Sequence, residues 1–261
     1  MQMRDEMTTA ADAARAGGAI IRSLFGQDLA AREKRGADLV TEADEAAEAT
    51  ILAVLRAAHP DFGIISEECG ALPGTAEYTW VVDPLDGTNN FVAGIPQVGV
   101  SIALVRGEEA VLGVVYQPMA DVLWQARRGE GAQRNGQPIA VATRQDDLGR
   151  ATVAYIQGYL AGDALALAIQ RALYGQVKRV LTNWAAALDW CLLAEGRIAA
   201  VVSLESERED QIAGTLIAQE AGARVTDVAG RPYTPGMTRL LACGNDRIHA
   251  ALSLLLRDVA P

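Results

Sequence analysis

A layered α/β (α+β) fold in two subdomains is the architecture that this 261-residue sequence predicts, and three patterns carry that prediction. Two helical stretches come first. An antiparallel meander of apolar runs follows, and from about Thr143 short strands alternate with helices. Half of the residues are apolar and 21% are charged, with no internal repeat and no low-complexity segment. That composition suits one large domain or two closely packed subdomains, burying roughly 70–75% of the extended-chain surface. The boundary is expected near residues 143–150, giving subdomains at 1–145 and 146–261.

Taken in order, Arg4 to Leu24 reads as a helix with small and apolar residues on one face. A second helix starts at Thr41 and runs to about Ala57. Its opening "TEAD" reads as a capping box, with Thr41 as N-cap and Asp44 three residues on. Strands are expected at Phe62–Ser66 and Trp80–Asp83. "VGVSIALVRG" and "AVLGVVYQP", joined by a short charged turn, form a hairpin, and "VLWQAR" and the "RNGQPI" turn extend its sheet. Beyond Thr143, strands are expected at Ala151–Tyr155, Val177–Leu181, Ile198–Ser203, Arg224–Asp227 and Thr238–Cys243. The helices between them are Asp163–Leu173, Trp184–Glu195, Asp210–Ala221 and Asp246–Leu256.

Composition also excludes function classes. No apolar run approaches the roughly 20 residues that a membrane span needs. The mixed-charge start "MQMRDEMTTAADAARAGG" is not a secretory signal. Three scattered cysteines (Cys69, Cys191, Cys243) fit a reducing, cytoplasmic setting better than a disulfide framework. A net charge of −10 disfavours nucleic acid and anionic membrane as partners. The same charge repels phosphorylated small molecules unless bound cations reverse the local sign.

Residues 80–91, "WVVDPLDGTNNF", hold the chemistry. Asp, Pro, Gly and Asn are turn formers, and most such clusters are turns. Here, however, Asp83 ends an apolar strand and Pro84, lacking an N–H, is expected to stop the ladder. The residue before proline is extended, so Asp83 should project past the strand end. Gly87 lets the backbone approach a ligand closely, and Thr88 offers a hydroxyl and an N–H. Other acids occur in similar positions: Glu67 and Glu68 follow a short strand, and Asp210 opens a helix, where an ordinary N-cap is the commoner use of aspartate. Two distant histidines, His59 and His249, with no cysteine pair nearby, support no zinc site. Carboxylates with carbonyls favour a hard cation, Mg²⁺, Mn²⁺ or Ca²⁺. Acids at positions 1 and 4 with Gly at 5 break the EF-hand spacing, so magnesium is expected.

These residues resemble the inositol monophosphatase family of metal-dependent, lithium-sensitive phosphomonoesterases. The resemblance rests on Asp44, Glu67–Glu68, Asp83-Pro84-Leu85-Asp86-Gly87-Thr88 and Glu209-Asp210-Gln211-Ile212-Ala213-Gly214, in order over nearly the whole chain. It implies a five-layer αβαβα sandwich, a homodimer and two or three Mg²⁺ per site, with Mn²⁺ as a substitute. It implies that Glu67, Asp83, the Leu85 carbonyl, Asp86 and Asp210 ligate metal. Asp44, Glu67 and Thr88 would position and activate the attacking water. Leu85, Asp86, Gly87, Thr88, Ala194 and Asp210 would meet the substrate, a small phosphorylated polyol.

Three departures stand out. The family tryptophan before the last aspartate is Glu209 here. The glutamate that grips sugar hydroxyls in inositol-specific members is replaced by Ser203, with Glu205 nearby but out of register. The family's Gly-Ser/Thr before the helix at 184 is Thr182-Asn183. Histidinol phosphate and nucleotide 3′-phosphates are therefore alternative substrates. A non-catalytic cation- or phosphate-binding module is the alternative of another class. An aspartyl-phosphate mechanism fits poorly, because its two acids stand two apart and these stand three apart.

Overall fold

The computed structural model describes residues 4–27, 29–33, 39–158, 162–257 and 259. Ala10, Ala13, Ala14 and Ile21 recur on one face of the first helix, α1 (Arg4–Leu24), and all four are fully buried. That face lies on α2 (Glu42–Ala58) and on the sheet beneath. A two-stranded ribbon, β1 (Arg32–Glu33) and β2 (Leu39–Val40), precedes α2. Thr41 caps α2 through the expected capping box, with its hydroxyl accepting from the Ala43 N–H.

The first large sheet holds β3 (Gly63–Ser66), β4 (Gly70–Leu72), β5 (Tyr78–Asp86), β6 (Gly99–Arg106), β7 (Glu109–Gln117), β8 (Val122–Arg127), β9 (Ala132–Arg134) and β10 (Gln137–Ile139). Its order is β10-β9-β8-β7-β6-β5-β3-β4, and only the β3–β5 pair is parallel. A five-residue helix, α3 (Thr88–Val92), follows β5 directly.

The second sheet takes the order β12-β11-β13-β15-β14. Its strands are β11 (Thr152–Gln157), β12 (Arg179–Leu181), β13 (Ala200–Leu204), β14 (Arg224–Asp227) and β15 (Arg239–Cys243), interleaved with α4 (Asp163–Leu173), α5 (Ala186–Ala194), α6 (Arg208–Glu220) and α7 (Asp246–Arg257). β11 runs parallel to both neighbours, and β15 is antiparallel to both of its own.

Five layers result. α1 and α2 cover the outer face of the eight-stranded sheet, and α5 with α6 fill the space between the sheets. α4 and α7 cover the far face of the second sheet. The central core draws on both halves of the chain: Val81 and Trp124 from one, Leu188, Trp190, Ile212 and Leu216 from the other. No described helix is long and apolar enough to cross a membrane.

Three expectations are corrected. β5 does not stop at Asp83; it continues through Pro84 to Asp86, because a one-residue bulge against β6 absorbs the proline without needing its missing N–H. The helix expected from Trp184 starts at Ala186, since Trp184 sits at φ +52°, outside the helical region. Asp210 is not an N-cap but the third residue of α6, which opens after Glu207.

Candidate active site

The bulge in β5 sets the geometry. Asp83 pairs with Ser101 of β6 and Asp86 with Gly99, so three residues on β5 span two on its partner. That extra residue brings Asp83, Leu85 and Asp86 to one cavity. The Asp83 carboxylate accepts from the Leu85 N–H at 2.9 Å, which locks the turn. Gly87 then reverses the chain at φ +95°, where a side chain would be strained, and starts α3. A Cβ at Gly87 would also lie 3.0 Å from the Trp184 carbonyl.

Thr88, the first residue of α3, donates its hydroxyl to Asp44 Oδ1 at 2.7 Å. The other oxygen of Asp44 accepts from the Thr41 N–H at 2.8 Å and its hydroxyl at 2.6 Å. One oxygen of Asp44 thus serves the α2 cap and the other receives the Thr88 hydroxyl. Asp44 is fully buried behind Thr88 and does not itself line the cavity.

Glu67 follows β3, its N–H bonded to the Val82 carbonyl of the parallel strand β5, and its side chain enters the same cavity. Asp210 enters from α6 in the second half of the chain, where Ser206 Oγ donates to it at 3.3 Å. Glu68 is not part of the cavity lining, and its N–H donates to Glu48.

These acids disturb one another. Burial pushes the Asp83 carboxyl well above the usual range, and Glu67, Asp86 and Asp210 push it further. Asp210 is raised by burial, then by Glu67 and Asp86. Asp86 rises to about 8 through burial and the nearby Asp189, against three backbone N–H groups at the start of α5 that favour its ionised form. One of these, the Ala187 N–H, lies 3.1 Å from Asp86 Oδ2.

Asp189 is a site residue that the sequence reading missed. Burial lifts it to about 7, and Asn183 donates to it at 2.5 Å. A single acid inside the apolar stretch "AALDWCLLA" was the available signal. Trp184, Tyr155, Gln157, Gln170 and Glu207 were also missed, and all line the cavity, which measures about 670 Å³.

Ala194, expected at the substrate, is a correction. It ends α5, is fully buried and packs in the central core. Eight residues along the helix carry it about 12 Å from Ala186, and the cavity wall takes Ala185 and Ala186 instead. Ser203 and Glu205 are displaced from the cavity as well. Ser203 is fully buried in β13 and bonded to Gln211, while Glu205 is held by Thr238 and Arg239. Glu209 stays outside the cavity too, its carbonyl accepting from Ser101.

The donor set is all oxygen, which fits a hard cation. Among the described residues no three acid, histidine or cysteine side chains close around one point. Unscreened carboxylates repel and take up protons, as the raised Asp83, Asp86 and Asp210 do, and a cation would relieve both effects.

Known proteins resemble this chain in sequence and in fold. The sequence profile of the inositol monophosphatase family matches residues 3–259. A fructose-1,6-bisphosphatase/inositol-1-monophosphatase of Aquifex aeolicus is 35% identical, over 91% of this chain and 89% of its own. The Nus factor SuhB of Pseudomonas aeruginosa is 36% identical, over 99% of this chain and 98% of its own. The crystal structure of the extragenic suppressor protein suhB from Bartonella henselae superposes with a TM-score of 0.91 at 33% identity, covering 97% of this chain and 98% of that one. With the profile spanning nearly all of its residues, this chain belongs to the inositol monophosphatase family.

Proposed function

We propose that the chain is a Mg²⁺-dependent phosphomonoesterase that hydrolyses the phosphate ester of a small alcohol by direct attack of water. One observation carries the reading: Glu67, Asp83, Asp86 and Asp210 share a cavity with Thr88, whose hydroxyl is oriented by Asp44. A binding module would need the acids but not that pair. Names of the relatives divide between a bisphosphatase/monophosphatase and Nus factors, so hydrolysis here rests on the site.

Glu67, Asp83, the Leu85 carbonyl, Asp86 and Asp210 would hold Mg²⁺, or Mn²⁺ in its place. Bound there, the cation supplies positive charge to a phosphate dianion and acidifies water. The residues do the rest. Thr88 donates to Asp44 and so keeps its oxygen lone pairs turned toward the cavity, where they accept from the nucleophilic water. Glu67 accepts the second proton of that water. The N–H groups of Gly87 and Thr88 bind phosphate oxygens, and Asp210 stands on the side of the departing alcohol.

Small phosphorylated polyols head the substrate panel, followed by histidinol phosphate and nucleotide 3′-phosphates. The reading includes a cytoplasmic homodimer, and inhibition by millimolar lithium competing for a magnesium position. The test is phosphate release from this panel with and without Mg²⁺, followed by a single turnover in ¹⁸O-water. Label in phosphate with no phospho-enzyme supports water attack. A phosphoaspartate at Asp83 or Asp86 sinks it, and no hydrolysis of any ester favours the binding module.

A further inference from the structure

Of the four tryptophans, Trp80 and Trp190 are fully buried and Trp124 nearly so, whereas Trp184 is 65% exposed. Trp184 also sits at φ +52°, a conformation that disfavours a bulky side chain and that the fold must enforce. The enforcing group is Asn90. From α3, its buried amide donates to the carbonyls of Asn183 at 2.7 Å and Gln97 at 2.8 Å, and to that of Trp184 at 3.3 Å. The Trp184 backbone thus rides on the same rigid unit as Gly87 and Thr88, and its residue borders the cavity that holds the acids.

Part of the same cavity lining differs in chemistry from the acid cluster. Tyr155, Gln157, Gln170 and Thr182 are uncharged, and each glutamine amide both donates and accepts. Ser203 and Glu205, the residues nearest a polyol-gripping acid in sequence, are engaged elsewhere. A cavity of about 670 Å³ holds a nucleotide-sized molecule.

We propose that Trp184 is a stacking platform, selecting phosphomonoesters whose alcohol part carries a flat heteroaromatic ring over bare polyol phosphates. This moves the ring-bearing esters ahead of the polyols in that panel, and it rests on the phosphatase reading above. A phosphoryl group held by Gly87 and Thr88 leaves its alcohol part beside Trp184. An indole face gains from a ring and little from a glycerol, while the glutamines meet ring-edge nitrogens. A nucleobase and an imidazole share this chemistry.

The experiment compares kcat/KM for adenosine 3′-monophosphate, histidinol phosphate and β-glycerophosphate in the unaltered chain, Trp184→Phe and Trp184→Gly. Glycine accepts φ +52° without strain, so that variant keeps its fold. The ring-to-glycerol ratio should fall roughly tenfold or more in Trp184→Gly, mainly through KM, and Phe should retain most of it. The two ring substrates, read separately, tell nucleobase from imidazole. A ratio unchanged within twofold for both overturns the proposal. A second arm needs no turnover: acrylamide quenching of the metal-free chain, where Trp184 is the exposed tryptophan, with uncharged adenosine, imidazole or glycerol added. Protection by a ring compound and not by glycerol supports stacking even if no ester is hydrolysed, an outcome that would remove only the phosphatase reading. Protection by neither ring, or protection that depends on protein concentration alone because a second copy covers Trp184, overturns it.

Discussion

The Thr88 hydroxyl lies 2.7 Å from Asp44 Oδ1, while Asp44 Oδ2 closes the N-terminal cap of α2 on Thr41. One carboxylate therefore ties a cavity hydroxyl to the end of a helix 44 residues away in sequence. Asp44→Ala should cost about 1 kcal/mol for the cap and about 0.5–1.5 kcal/mol for the lost bond to Thr88, whose hydroxyl keeps the Leu85 carbonyl as an acceptor at 3.2 Å. Thr88→Val should lower kcat by roughly 10²–10⁴, and Thr88→Ser should recover most of it. Urea titration and phosphate release read the two effects separately. If kcat in Thr88→Val falls only as far as folded protein is lost, the hydroxyl is structural.

Metal and pH should trade places. The Asp86 carboxyl titrates near 8 in the folded chain against an ordinary value of 3.8, and Asp83 and Asp210 shift the same way. The folded state thus holds protons that the unfolded chain has released. Metal-free stability should be greatest below the ordinary carboxylate pKa as far as these groups go, and fall as pH rises through about 8, where Asp86 ionises. Mg²⁺ should restore it most at high pH, by about 2.7 kcal/mol at a hundred times its Kd. In Asp83→Asn the metal-free chain should be as stable or more so, because the amide oxygen can still accept from the Leu85 N–H. Melting curves at pH 6 and pH 8.5, with chelator and with Mg²⁺, decide this; a metal-free Tm that climbs with pH would contradict it.

Ser203→Glu should not create a polyol grip. Ser203 is fully buried in β13 and bonded to Gln211, so a glutamate there places a carboxylate in the core. The expected loss exceeds about 3 kcal/mol. Denaturant midpoints test it, and a stable variant with raised inositol 1-phosphate turnover would show that the side chain reaches the cavity after all.

Gly214→Ala should cost about 1–3 kcal/mol by overpacking. A Cβ at Gly214 would fall 2.6 Å from the Trp190 Cβ, where α6 crosses α5. Alanine's better helix propensity recovers only about 0.5–1 kcal/mol, so the net sign is a loss. Activity per folded molecule should change little, since the substitution tightens a helix crossing.

Features written in contiguous residues were legible before the fold was known. An apolar strand running into two aspartates and a glycine announced β5 and its cavity, and "TEAD" announced the α2 cap. What depended on a distant partner was not. The bulge that carries Pro84 inside β5 exists because β6 pairs on both sides of it. The α5 N–H groups that meet Asp86 belong to a helix about a hundred residues later, and nothing in "WAAALDW" names their acceptor. Ala194 was misplaced because alanine repeats along α5 leave little to choose between them, whereas one end of the helix faces the cavity and the other the core. Gly214 stands four residues after Asp210 in the segment that carries the family resemblance, and its reason lies in helix packing.

The acid-lined cavity is a seam, and a seam can be opened. Glu67, Asp83 and Asp86 come from one half of the chain and Asp210 from the other, while Arg144, Asp146 and Asp147 lie exposed between them. Cleaving the chain there would give two polypeptides with incomplete carboxylate sets, each leaving its share of the central core open to water. Docking them would re-form that core and the acid-lined cavity in one event. Fused to two interacting proteins, the fragments would act as a coincidence detector, with released phosphate as the signal that both are present.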